Sequence, residues 1–375
     1  MAEGVKYQEV NIELGDKMSQ FFTNASELTY ANLPDGLLDM TGVAFGSPPQ
    51  IDGDYLSGVT YGLQLDGIGT KPEISERLNE HSGAAFDLFA MVIDDAAASG
   101  AEVLAVGNLL DVRELNDNDE LIINGMHQLA GGMVRAAKDA RVAVIGGEIA
   151  ELGKRVGGYG IFNYNWGGVA FVATRKDRKL TGKELKAGHS LIGLAEPGFR
   201  SNGISDVRNA MEEHYGSDWQ NQVELSLGQI SLGKLMQTPS TIYAKLTRIL
   251  QGGVLQVEPA AEITGVAHIT GGGQPSKLGR MLLRAPGLGI TIDSPIQPPA
   301  AVLHVQRLRG FDDRKAYGKW HMGPGMVIAT PEPAKVLAEA ARHGLIAQTI
   351  GQVTDEPGIR IKNRGAVQDA EWLTF

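Results

Sequence analysis

Apolar and polar positions along the chain repeat a rhythm of short strands and longer helical runs. Residues 55–65, YLSGVTYGLQL, partly alternate and are rich in Tyr, Val and Thr, which predicts a strand. Residues 84–99, AAFDLFAMVIDDAAAS, form an almost unbroken apolar run stopped by Gly100, which predicts a helix. A second strand follows in EVLAVGNLLDV at 102–112, then a helix in IINGMHQLAGGMVRAAKDA at 122–140, despite its glycines. RVAVIGGEIAEL at 141–152 reads as a strand entering a glycine turn, and GGVAFVATR at 167–175 as the strand that closes this half. The polar run KDRKLTGKELKAGHS then interrupts the apolar pattern with charges and a glycine. We therefore expect one domain over 1–175, a linker over 176–187 and a second domain over 188–375.

The second half keeps the rhythm. SLIGLAEPG predicts a strand, SNGISDVRNAMEEHYG and PSTIYAKLTRILQGG two helices, and HITGGGQPSKLGR a glycine turn. HMGPGMVIAT reads as a core strand and PAKVLAEAARHG as a helix ending at Gly344. Both halves are thus mixed α/β, without a short repeat.

Composition narrows the function. At 375 residues the chain exceeds the size at which one core usually keeps growing, and 43% hydrophobic residues can fill two. The 49 glycines, well above the usual ~7%, point to many tight turns and close backbone approaches. A net charge of −10 argues against non-specific nucleic-acid binding, which depends on Lys and Arg displacing counterions. Cysteine is absent, which excludes disulfides and thiolate chemistry. No window is long and apolar enough for a membrane span, and the first residues lack a secretory pattern, so a soluble cytoplasmic protein is expected.

The chemistry concentrates where predicted strands meet glycine turns. In LQLDGIGTKP at 63–72, Asp66 precedes Gly67 and Gly69 and is followed by Thr70 and Lys71. One reading is a tight turn whose Asp bonds its own backbone. The other is a nucleotide site, with Asp66 on a metal ion, the glycine amides against phosphate and Lys71 neutralising it. Asp87 and Asp94 lie on one face of the 84–99 helix, with Asp95 next to them. Capping or ion pairing would explain them, but Asp94 and Asp95 come late in the helix, where its dipole disfavours anions. Magnesium would remove that conflict, and Asp66, Asp94, Asp95 and Glu148 form a hard oxygen-ligand set for it. Glu148 follows Gly146 and Gly147 in VIGGEIAE, and is equally readable as a plain turn glutamate. GQISLGKL at 228–235 fits Walker spacing, but Leu235 stands where Ser or Thr would bind magnesium and no strand precedes it.

For an anionic substrate, Arg200, Ser201 and Asn202 stand just ahead of a predicted helix, whose free N–H groups favour phosphate. Ser201 or Asn202 could equally cap that helix. Thr270, Gly271 and Gly272 can present consecutive N–H groups to an anion, while His268 reads as a satisfied core histidine.

LDGIGTK, FDLFAMVIDDAAASGAE, VIGGEIAE, SNGISDVR, HITGGG and MGPGM, in this order, resemble the aminoimidazole ribonucleotide synthetase family, the phosphoribosylformylglycinamidine cyclo-ligases of purine biosynthesis. The resemblance implies a homodimer of two-domain α/β subunits, with N-terminal strands of both forming a barrel at the interface beside the ATP site. It implies a ligase that uses ATP and magnesium on a small ribonucleotide. By motif match Asp66, Lys71, Asp95 and Glu148 go to the ATP and metal side, and Ser201, Asn202, Thr270 and Gly271 towards substrate, with His268 a candidate base. The chain departs from the family pattern at Asp94 (usually Asn), Ile149 (Thr), Arg200 (His), Ser240 and Thr241 (Thr-Arg), and Trp320 and His321 (Phe-Asn). Several of these fall on or near the expected substrate side. Related selenophosphate synthetases and hydrogenase maturation proteins would want a cysteine, which this chain lacks.

Overall fold

The computed structural model describes residues 38–39, 50–52, 58–115, 119–254 and 258–375. Most of the glycine-rich stretch DGLLDMTGVAFG and the start of the predicted 55–65 strand lie outside them.

Among the described residues the first half forms a six-stranded sheet. In chain order its strands are β1 (Leu38–Asp39), β2 (Gln50–Asp52), β3 (Val59–Gly67), β4 (Glu102–Val112), β5 (Ala143–Glu151) and β6 (Tyr164–Arg175), arranged β1-β2-β3-β6-β4-β5. Only β4 and β5 run parallel, and their crossover is supplied by a long helix, Glu120–Ala140. The short helix α1 (Pro72–Leu78) follows β3, α2 (Ala84–Ala98) follows it, and the crossover helix is α3. The second half is a seven-stranded sheet ordered β13-β12-β9-β11-β7-β10-β8. Its strands are β7 (Ser190–Ala195), β8 (Gly265–His268), β9 (Gly289–Ile292), β10 (Pro324–Thr330), β11 (Ala347–Thr354), β12 (Gly358–Lys362) and β13 (Trp372–Thr374). Helices α4 (Ile204–Tyr215), α5 (Leu232–Gln237), α6 (Ala244–Gln251), α7 (Gly273–Leu282), α8 (Ala300–Arg309), α9 (Asp313–Lys319) and α10 (Pro333–Arg342) connect them.

α2 is the keystone. It packs on β3 and β6 on one side and on α6 and β8 of the second half on the other. A helix covered all round must be apolar all round, which is why its sequence shows so little amphipathic stripe. Gly168 on β6 lets α2 approach, since a Cβ there would lie 3.2 Å from Val92 and 3.4 Å from Leu88.

The two faces of the first sheet differ. The inner face meets α2 and α3, whereas the outer face carries Leu63, Leu65, Leu109 and Phe171, of which Leu65 is 65% exposed. Register aligns Leu63 with Phe171 and Leu65 with Val169, so these apolar side chains form one contiguous face.

Predicted helices and strands of the first half recur within a few residues. HITGGGQPSKLGR is a turn only up to Gly272, after which α7 begins. The predicted 239–253 helix shortens to α6, because Asp87 and Asp94 bind the backbone and side chains of residues 240–244 ahead of it. Among the described residues no helix is long and apolar enough to cross a membrane.

Candidate active site cleft

β3 ends at Gly67, and the chain turns through Gly69, whose φ of +67° is costless only for glycine. Asp66 sits at this end with Oδ1 accepting from its neighbour Gly67 N at 2.7 Å. Its register partner is Gly168, so Asp66 lies on the inner face, towards α2. Burial and the charge of Asp95 push the Asp66 carboxyl up to about 6, against the pull of the Gly67 N–H.

Asp95 reaches the same place from α2. Its side chain is 28% exposed, and Oδ1 lies 2.5 Å from His268 Nδ1 at the end of β8. Burial alone would raise the Asp95 carboxyl, but the His268 contact and the cations Lys277 and Arg280 outweigh it and hold it below the usual range. Asp95, His268, Lys277 and Arg280 line one cleft together with the apolar Leu180, Val266 and Met281. Asp66 adds a second acid beside Asp95, and the charge of Lys277 pulls on both carboxyls.

A polar subsite adjoins it. The loop before α4 and the glycine run before α7 converge, so that a Cβ on Gly271 would lie 3.5 Å from Asn202 Nδ2. Thr70 Oγ1 stands 3.4 Å from Ser205 Oγ, and a Cβ on Gly69 would lie 3.4 Å from Ser201 O. The buried Ser201 Oγ and Asn202 Oδ1 have no hydrogen-bond partner among the described residues. Thr270 O is taken by Gly273 N at 2.9 Å, which shapes the turn so that α7 starts at the subsite. Gly69, Thr70, Ser201, Asn202, Thr270, Gly271 and Gly272 are thus brought together.

Six expected site residues are placed otherwise. Lys71 is buried, with Nζ 2.7 Å from Asp87 and 2.8 Å from Thr238 O, so its charge is spent inside the fold. Asp94 is fully buried, accepts from Tyr243 N and Ala244 N at 2.8 Å each, and pairs with Arg200 Nη2 at 3.1 Å. It caps α6 and neutralises an arginine, so both its oxygens are engaged inside the protein. Burial pushes its carboxyl up, against the pull of Arg200 and these N–H groups. Arg200 itself is 1% exposed and donates to Glu196 at 2.6 Å and Thr241 O at 3.0 Å as well, so its guanidinium is committed inside the protein. Glu148 pairs in register with Leu109, which puts it on the outer face, three strands from β3 and roughly 14 Å from Asp66 at ~4.8 Å per strand. Gly146 and Gly147 lie on the same edge strand.

Among the described residues no three metal-ligating side chains cluster. Magnesium carried with a nucleotide needs only one or two carboxylates, the phosphates and water supplying the rest. Asp66 and Asp95 fit that description, since burial and then the charge of Asp95 raise the Asp66 carboxyl, and a cation beside the two would offset both. Lys277 and Arg280 escaped the sequence reading because it took 268–280 as a turn. On a helix they are three apart and share a face, a signal visible once α7 is started at Gly273.

Models of the AIR synthase related protein match this chain, the N-terminal domain over residues 56–170 and the C-terminal domain over 186–363. The phosphoribosylformylglycinamidine cyclo-ligase of Crocosphaera subtropica is 33% identical over 359 residues, covering 93% of this chain and 97% of that protein. That of Geobacillus kaustophilus is 32% identical over 340 residues, covering 88% and 87%. The fold is also that of the E. coli hydrogenase maturation protein HypE, with a TM-score of 0.57 at 17% identity, over 90% of this chain and 95% of that one.

Proposed function

This chain belongs to the AIR synthase related family, and on that premise we propose that it closes the imidazole ring of formylglycinamidine ribonucleotide with ATP, giving aminoimidazole ribonucleotide, ADP and phosphate. The observation that carries the reading is the cleft lined by Asp95, Lys277 and Arg280, with Asp66 near enough to feel the charge of Asp95, beside a two-helix subsite in which Ser201 Oγ and Asn202 Oδ1 are unpartnered. A formyl oxygen is a poor leaving group. Transfer of the γ-phosphoryl to it makes it one, and the amidine nitrogen then attacks the carbon, losing a proton as phosphate departs. Such chemistry asks mainly for positioning and charge neutralisation.

Lys277 and Arg280 neutralise the nucleotide phosphates, and the apolar wall of Leu180, Val266 and Met281 receives the rest of the nucleotide. Asp66 and Asp95 would hold magnesium, which supplies further neutralisation of the polyphosphate. Thr70, Ser201, Asn202, Gly271 and Gly272 take the ribonucleotide phosphate, with the first turns of α4 and α7 adding N–H groups. The departures at Asp94, Arg200, Trp320 and His321 weigh little against this substrate, because all four side chains are buried, Arg200 directly behind His268.

The exposed outer face of Leu63, Leu65, Leu109 and Phe171 supports a homodimer in which this sheet meets its copy to form a strand barrel. Gly146, Gly147 and Glu148 on edge strand β5 would reach a nucleotide only across that interface. The two sheets, one on each side of 176–187, support the expected domain boundary.

The test is ATP- and magnesium-dependent turnover of formylglycinamidine ribonucleotide by the purified protein, with aminoimidazole ribonucleotide and phosphate measured together in one-to-one ratio. ATP binding without product would overturn the reaction, and a monomer by sedimentation at assay concentration would overturn the barrel.

A further inference from the structure

The cleft contains a histidine, and the obvious role for it is that of a base. The hydrogen bonds around it argue otherwise. His268 is 3% exposed, and both ring nitrogens are engaged. Nε2 lies 2.7 Å from Arg200 Nη2. A guanidinium only donates, so Nε2 must be the accepting, bare nitrogen. The single ring proton is then on Nδ1, where it is donated to Asp95 Oδ1 at 2.5 Å. No lone pair of this imidazole is open to a substrate.

We propose that His268 is a positioning residue for Asp95: its Nδ1–H fixes the carboxylate so that the second oxygen faces the cleft, and Arg200 fixes the tautomer that allows it. The inference rests on the reading of Asp95 as a carboxylate that holds magnesium with the nucleotide. Groups that bond a metal-holding carboxylate set its orientation, and their loss typically costs 10–100-fold in metal affinity. Arg200 is suited to this task because nothing lets it turn away. Glu196 and Thr241 O take the two N–H groups of Nη1, Asp94 takes the second of Nη2, with Ala90 O a longer contact at 3.4 Å, and its backbone φ of +57° commits the loop around it. The lock also joins three positions at which the chain departs from the pattern it resembles, since Arg200 touches both Asp94 and Thr241. The added cation and the added anion neutralise one another, and the cation serves His268 as well.

Two isosteric variants separate the roles. The amide nitrogen of His268→Asn falls near Nδ1 and can still donate to Asp95, whereas that of His268→Gln falls near Nε2 and cannot. With the full-length protein, the affinity for the magnesium salt of ATP is measured by calorimetry in the absence of ribonucleotide. We expect His268→Asn to stay within about threefold of wild type and His268→Gln to lose about 10–100-fold. Nitrogen-15 spectra of histidine-labelled wild type should show the His268 ring with Nδ1 protonated and Nε2 bare, and this decides the matter if a variant does not fold. A proton on Nε2 or on both nitrogens, or equal losses in the two variants, would overturn the inference. Both readouts are independent of ring closure. The expected tautomer and variant contrast without aminoimidazole ribonucleotide would remove the proposed reaction alone, and product from an enzyme with an Nε2-protonated ring would remove this inference alone.

Discussion

Asp94 and Asp95 are neighbours on α2, yet they belong to two regions built on opposite principles. Around Asp94 every charge is answered inside the protein: two backbone N–H groups and Arg200 for Asp94, Glu196 for Arg200, and Lys71 with Ser240 for the nearby Asp87. Around Asp95 the account stays open, because Asp66 adds a second carboxylate and the balancing cations Lys277 and Arg280 stand across a cleft. Helical rotation of ~100° per residue turns one acid into the seam between the sheets and the next towards solvent. A closed charge network is a structural device, while an open one is where a ligand adds what the fold leaves out.

The sharpest break in this comparison comes from removing Arg200. Arg200→Ala leaves Asp94 and Glu196 buried without their cation, and loss of one partner of a buried pair costs about 3–5 kcal/mol. Urea unfolding should show that loss. The combined variant Asp94→Asn, Arg200→His removes both charges, and its cost should be smaller than that of Arg200→Ala, since the two sites are in contact and non-additive. A cost below about 1 kcal/mol for Arg200→Ala would show that the region around Asp94 is not a closed network after all.

How much of this was readable from the chain follows from the range of each interaction. β4, α2 and α3 were legible because their apolar patterns are local and long. Their partners were not: nothing near Asp94 in sequence announces Arg200, which lies more than a hundred residues on and becomes its ion pair only when the second half packs on α2. The grouping of Asp66 and Asp95 was legible in kind, as acids at strand and helix ends. That Glu148 lies apart from them within one chain depends on strand order, since β6 and β4 intervene between β3 and β5. α7 was missed because glycines at 271–273 read as a turn, although two of them only set the entry of a helix that carries Lys277 and Arg280.

The open region is tested by Asp95→Asn. The change keeps shape and, with the amide oxygen turned to His268, keeps that hydrogen bond, but it removes the charge that faces the cleft. We expect turnover of formylglycinamidine ribonucleotide to fall by about 100-fold or more, equivalent to about 2.7 kcal/mol in the barrier, with the urea midpoint almost unchanged. This is the mirror of Arg200→Ala, in which stability goes first. Wild-type turnover in Asp95→Asn would erase the distinction between the two acids.

The smallest effect is also the most specific, because it reads the imbalance of the open region directly. Asp66 titrates at 3.8 when exposed and near 6 in the folded protein. Protonation therefore favours the folded state. The stabilising effect of the proton is fully present below pH 3.8 and is lost as the pH rises through about 6. At 1.36 kcal/mol per pH unit over that interval, with allowance for partial exposure, Asp66 should cost the fold about 2 kcal/mol at neutral pH. Asp66→Asn should then be more stable than wild type at pH 8 and less dependent on pH between 4 and 7, by urea unfolding in chelator. Magnesium should narrow the difference at pH 8, since a cation that binds only the folded protein adds RT ln(1 + [L]/Kd) to wild type. Equal pH profiles for wild type and Asp66→Asn would mean that the second carboxylate carries no strain, and that the cleft is as closed a network as the one behind it.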